Sequence, residues 1–267
     1  DLSDRQRREV EYHRDHAKKK KHLADTSVDL EVINSDKRRW WNAYWHSYTS
    51  LRNTNLKGKK CLVPGCGLGE DAIRLAHLGA DVYGFDLSPD ILELTQARIV
   101  HYPQINVDLQ QMSCEEMSYP DDFFEVIYLR DIMHHVDIPI TCKELHRVAK
   151  PGALVFGNEL YTHSIIERGV RRSWPVEKIL YPAMVKFIYG ADNPYITEDE
   201  HKIDEDEFSV IADILRDIHI DYFNIWTGRV LPDRWKASAI PDRITAWAVG
   251  PLGKYLSGRI LFTGRIK

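Results

Sequence analysis

Between residues 58 and 160 short apolar runs alternate with helical stretches, and few architectures accept that pattern. The runs are "KCLVP" (60–64), "DVYGFD" (81–86), "INVDLQQM" (105–112), "FEVIYL" (124–129) and "ALVFGNE" (153–159), with helical stretches near 69–79, 89–101 and 138–149. Strands separated by helices over about 100 residues pair in parallel, with the helices covering the sheet. The expectation is an α/β fold built on a doubly wound, mainly parallel sheet. "AKPGAL" (149–154), with Pro151 and Gly152 as breakers, marks the turn into the fifth strand.

After Glu159 the alternation stops. The remainder predicts an insertion at about 160–205 around "PVEKILYPAMVKFIYG", a helix at 206–218 and a strand "HIDYFNIWT" (219–227). A second insertion at 228–256, with a helix near 241–256, then precedes a last strand "GRILFTGRI" (258–266). Upstream, 4–22 and 36–50 predict helices. In the second, Trp40, Trp41, Tyr44, Trp45 and Tyr48 share one side, as core or as the apolar wall of a pocket. The chain thus divides into an N-terminal helical cap, 1–57, and a domain, 58–267, carrying the two insertions.

Composition narrows the function classes. With 36 Lys and Arg against 40 Asp and Glu the formal charge is −4, which argues against a surface built throughout for nucleic acid, DNA in particular. No run approaches the roughly 18 apolar residues of a membrane span, and "DLSDRQRREVEYHRDH" has no secretory apolar core. Cys61, Cys66, Cys114 and Cys142 form no CxxC pair, so neither zinc nor a disulfide framework is indicated and a reducing cytoplasm fits. Eight basic residues fall within 5–22 and seven acids within 197–207. Both read first as solvated helix faces, and contact of RNA or an anionic membrane with Lys18 to Lys21 is the lesser reading.

The loop in "KCLVPGCGLGED" (60–71) bears on the ligand. A dinucleotide fingerprint needs a third glycine where Glu70 stands, and Glu70 and Asp71 put two carboxylates in the first helical turn, where a pyrophosphate would otherwise sit. Gly65, Gly67 and Gly69 still require close backbone approach, and Asp86 ends the second strand 17 residues later, where a carboxylate accepts ribose hydroxyls. A nucleoside without phosphates and with an amino-acid tail is S-adenosylmethionine.

Here the sequence resembles the class I S-adenosylmethionine-dependent methyltransferases. "VPGCGLGEDA" (63–72) is similar to the family's first motif and "VYGFDLSPDILELTQAR" (82–98) to its second strand and helix. "MSCEEMSYPDDFFEVIYLRDIMHHV" (112–136) resembles the adenine segment, fourth strand and following loop, and "ELHRVAKPGALVFGNE" (144–159) the approach to the fifth strand. The resemblance covers roughly 58–160. It implies a seven-stranded sheet with an antiparallel last strand, N-terminal helices and helical cap insertions over the substrate. It also implies S-adenosylmethionine held by Gly65, Cys66, Gly67, Gly69, Asp86, Leu87, Ser113, Cys114, Glu115, Leu129 and Arg130, with S-adenosylhomocysteine as product. Two departures stand out: Val63 replaces a common acid, and Ser113 replaces an Asp near the adenine.

Methyl transfer to oxygen needs alignment, exclusion of water and a base. The loop after the fourth strand, "RDIMHHV", faces the methyl group in this family, so His134 and His135 are base candidates, with Asp131 behind them and Glu159 and His163 as runners-up. A pocket-shaping role for the His pair stays open. No paired acids suggest a metal. "NPYI" (193–196) resembles an amino-methylating motif only in letters, since it lies in the late insertion. Trp41, Tyr44, Trp45, Glu159, Tyr181 and Tyr189 are candidate acceptor contacts, and their apolar character suits a largely apolar small molecule. The expected reaction is O-methylation. Methylation at carbon or nitrogen, an RNA acceptor, or a non-catalytic binder of the cofactor are the alternatives, and an oxidoreductase is disfavoured by Glu70.

Overall fold

The structure, a computed structural model, describes residues 2–36, 44–161, 165, 169, 173–189, 202–232 and 235–267. Seven strands form one sheet: β1 Lys60–Pro64, β2 Asp81–Asp86, β3 Val107–Gln111, β4 Phe124–Arg130, β5 Ala149–Leu160, β6 Leu215–Phe223 and β7 Arg259–Ile266, in the order β3-β2-β1-β4-β5-β7-β6. β1 to β5 pair in parallel, and β7 runs antiparallel to both of its neighbours. This is the mainly parallel sheet expected from the alternation.

β4 shows why the strand runs are apolar throughout. Its successive side chains point to opposite faces, and both faces are covered. Ile127 and Leu129 join the core with Phe85, Leu145 and Phe262, while Val126 and Tyr128 join that with Val63, Leu75 and Leu51.

Nine α-helices surround the sheet among the described residues: α1 Asp4–Lys20, α2 Glu31–Asn34, α3 Trp45–Arg52, α4 Glu70–His77, α5 Pro89–Ile99, α6 Ile138–Val148, α7 Tyr181–Tyr189, α8 Glu205–Asp213 and α9 Ala239–Val249. Their starts are written locally. Ser88 caps α5 ahead of Pro89, Asp137 caps α6, and Asp204 forms a capping box with Glu207 at α8. No described helix is long and apolar enough to cross a membrane.

β6 departs from the expected 219–227 by starting at Leu215. Asp217 has φ +55°, and the register shifts from Arg216 opposite Arg265 to His219 opposite Thr263. Such a bulge breaks the period-two pattern that marks a strand. The chain winds outward from β1 to β3 and returns to β4, so the connections diverge there and leave a crevice at the strands' carboxyl ends.

Candidate active site

The loop after β1 lies at that crevice. Gly65, Gly67 and Gly69 all have positive φ, at +57°, +51° and +74°. A Cβ on Gly65 would lie 2.4 Å from Ile132 Cδ1, and one on Gly69 2.4 Å from Thr95 Cγ2, whereas at Gly67 nothing comes closer than 4.0 Å. Two of the glycines are therefore needed for packing, while Gly67 leaves open space on the ligand side. The Thr95 hydroxyl donates to Gly67 O at 2.6 Å and Arg98 donates to Leu68 O at 2.6 Å, which pins the loop to α5.

Asp86, at the end of β2, accepts from Gly67 N at 3.1 Å and Ser88 N at 3.0 Å. Burial pushes its carboxyl upward, opposed by nearby His13 and by these N–H donors. A carboxylate has about four lone-pair sites. A buried one on a cavity wall, with N–H donors on Gly67, Ser88 and Leu87, retains lone-pair capacity toward the cavity.

The crevice opens into a cavity of about 1050 Å³, at the upper end of the size of small-molecule sites. Gly65, Cys66, Gly67, Asp86, Leu87, Ser113, Cys114, Glu115, Arg130, Asp131, His134, His135 and Tyr44 line it. Gly69 instead caps α4 behind the loop, and Leu129 is buried in the core. Glu159 is wholly buried and sits under the wall. Trp41 and the 193–196 motif lie outside the described residues, as do the side chains of Trp45, Tyr181 and Tyr189.

Helix α1 contributes what the charge pattern alone did not reveal. Arg5, Gln6, Glu9 and His13, spaced three and four apart on one face, line the cavity. Gln6 Nε2 donates to Ser113 Oγ at 3.0 Å and Glu115 Oε2 at 3.1 Å, and Arg5 pairs with Glu115. Burial would raise the Glu115 carboxyl, but Ser113, the Asp137 N–H and Arg5 together lower it. Glu9 lies 3.4 Å from His135 Nδ1. The polar spacing was visible in "RQRREVEYH", but not what it would face.

In the loop after β4, His134 Nδ1 meets Glu159 Oε2 at 2.9 Å, and the other Glu159 oxygen accepts from Ile132 N and Met133 N, each at 2.9 Å. Asp131, at φ +52°, pairs with Arg259, which also donates from Nε to Asn158 Oδ1 at 3.0 Å. Burial would raise the Asp131 carboxyl, but Arg259 and Arg130 hold it below the usual range. The ligand atoms of Asp131, His134 and Glu159 lie within 4.8 Å of one another, close enough for a metal set. Arginines beside Asp131 and N–H donors on Glu159 make it an ion-pair and hydrogen-bond network instead.

Beneath the glycine loop, Asp71 accepts from Arg130 at 2.7 Å and Arg74 at 2.9 Å, with the Tyr128 and Tyr48 hydroxyls at 3.4 and 3.5 Å. Burial alone would raise this carboxyl, but the two arginines prevail and hold it at about 2. Arg130 and Arg259 both lie over the Tyr44 ring.

A sheet in this order, with a loop of positive-φ glycines and a buried strand-end acid meeting at its switch point, is the fold of the class I S-adenosylmethionine-dependent methyltransferases. Residues 62–157 match the family described as "Methyltransferase domain". A ubiquinone biosynthesis O-methyltransferase of Methylococcus capsulatus is 32% identical over 146 residues, 49% of this chain and 61% of the relative. Phosphoethanolamine N-methyltransferase 3 of Arabidopsis thaliana is 33% identical over 100 residues, 37% of this chain and 20% of that protein. The chain therefore spans less than two thirds of either relative. A crystal structure of an S-adenosylmethionine-dependent methyltransferase from Mesorhizobium loti shares the fold, with a TM-score of 0.53 at 16% identity over 82% of this chain and 97% of that one.

Proposed function

We propose that the protein methylates a largely apolar small molecule at a hydroxyl, with His134 as the base. The observation that carries this is the buried His134–Glu159 pair on the cavity wall beside the glycine loop. S-adenosylmethionine supplies a methyl group on a sulfonium when bound. Asp86 would hold the ribose hydroxyls, and Ser113, Cys114 and Glu115 would border the adenine. The open space at Gly67 admits the cofactor against the backbone. Asp71 and Arg130, side by side on the wall, offer the opposite charges that a zwitterionic amino-acid tail needs in place of an acid at Val63.

Glu159 accepts the Nδ1 proton of His134, which leaves Nε2 as the basic nitrogen for the acceptor hydroxyl. The acceptor chamber combines Tyr44 and the apolar Val176, Leu180, Met184, Ile188 and Val230 with Arg259, an environment for a ring or chain with one polar end. Quinone chemistry in one relative's name agrees with such an acceptor. The 1–57 segment would act as a cap, since α1 already forms part of the wall.

The test is methyl transfer to a panel of phenols and quinols, with phosphoethanolamine as the amine control, using wild type and His134→Gln. The variant should lose activity on ordinary phenols but much less on a nitrophenol already ionised at assay pH. Equal loss on both would remove His134 as the base, and turnover of the amine alone would overturn the hydroxyl assignment.

A further inference from the structure

Residues 173–189 present apolar side chains both to the cavity and to solvent. Val176, Met184 and Ile188 turn inward onto the cavity, and Ile188 is buried. Trp174, Ile179 and Phe187 are exposed at 68, 61 and 46%. Single exposed apolar residues are ordinary, but a cluster of large ones marks a surface that a partner covers. Trp235, 47% exposed, stands edge-on to Phe187 with ring centroids 5.3 Å apart and extends the patch across to the next segment.

Two residues join this patch to the cavity. Leu180 and Val230 line the cavity and are also 53 and 44% exposed, so apolar side chains stand at the opening between solvent and the acceptor chamber. The charge beside it is mainly positive. Among the described residues of this segment Lys178 and Lys186 stand against Glu177, and in sequence the stretch 167–189 holds five basic residues against Glu167 and Glu177, in a chain whose formal charge is −4.

We propose that this face docks on an anionic lipid bilayer, with the cavity mouth turned toward the acyl region. Tryptophan, phenylalanine and aliphatic side chains flanked by lysine and arginine match an interfacial segment, which gains from shallow apolar burial and from anionic headgroups together. The attachment proposed is peripheral, made by side chains that enter the interface. An apolar acceptor dissolved in the membrane would then enter past Leu180 and Val230 without crossing water. The docking surface holds whatever the acceptor atom is, and its test is independent of that chemistry.

The experiment is flotation of the full chain with vesicles of phosphatidylcholine alone and of phosphatidylcholine with an equal part of phosphatidylglycerol. Wild type should float with the anionic vesicles and release in high salt. Ile179→Glu and Phe187→Glu, singly, should each weaken binding about tenfold, and Lys178→Glu with Lys186→Glu should remove most of the salt-sensitive part. All variants should keep wild-type unfolding temperature and S-adenosylhomocysteine affinity, since none of these side chains lines the cofactor region. Absence of flotation, or flotation indifferent to these substitutions, overturns the proposal. So does a wild-type dimer by light scattering that Ile179→Glu converts to monomer, because the patch would then belong to a second copy. Loss of nucleoside affinity in wild type would instead strike at the proposed function and leave the flotation result standing.

Discussion

His134 Nδ1 lies 2.9 Å from Glu159 Oε2, and both side chains are almost wholly shielded from water. Their separation of 25 positions puts the histidine in the loop after β4 and the acid near the end of β5, whose parallel pairing sets Arg130 beside Asn158. Glu159→Gln should lower kcat roughly 10- to 100-fold with little change in S-adenosylhomocysteine affinity, and His134→Gln by about 10² to 10⁴, the range for general-base catalysis. Initial rates at saturating cofactor, beside calorimetric titrations, separate the two effects. A parallel loss of binding and rate would mean that the pair only shapes the pocket.

Asp86 joins the glycine loop to the start of α5 through Gly67 N and Ser88 N. Asp86→Ala should weaken S-adenosylhomocysteine by on the order of a hundredfold, since charge-assisted hydrogen bonds contribute about 1.5–3 kcal/mol each. Calorimetric titration with S-adenosylhomocysteine and NADH checks this. Gain of NADH binding would contradict the nucleoside reading.

The glycines should separate stability from binding. Gly65→Ala meets Ile132 at 2.4 Å and takes a positive φ, so it should cost roughly 2 kcal/mol or more in urea unfolding. Gly67→Ala meets no atom within contact distance, so its stability cost should stay near about 1 kcal/mol while cofactor affinity falls steeply. Similar stability losses in both would remove the distinction.

The Asp71 carboxyl is held at about 2, below its ordinary value of 3.8. A carboxyl depressed in the folded state binds fewer protons there than when unfolded. Its contribution is therefore full above the ordinary value and is lost as pH falls from about 4 through about 2, by roughly 2 kcal/mol. Asp71→Asn should flatten the fall in unfolding free energy across that window, at a lower stability near neutrality because Arg74 and Arg130 lose their counter-charge. An unchanged acid limb would show that other carboxylates govern it.

Much of this protein was written locally. The alternation of apolar runs over 58–160 determined a parallel sheet because the central runs, β1 and β4, are buried on both faces, and the caps Ser88, Asp137 and Asp204 determined where helices begin. Gly65, Gly67 and Gly69 were legible as a sharply turning loop, and Asp86 as a strand end, because backbone conformation and strand ends are short-range properties. The bulge at Asp217 hid the start of β6, since it interrupts the only periodicity a strand displays. Contacts across the chain were decided by tertiary structure alone. Gln6 reaches Ser113, Asp71 reaches Arg130, and Arg259 meets Asp131 from a separation of 128 residues. No local pattern records such partners, because a charged side chain on a helix face looks the same in sequence whether solvent or another wall of the cavity lies opposite it.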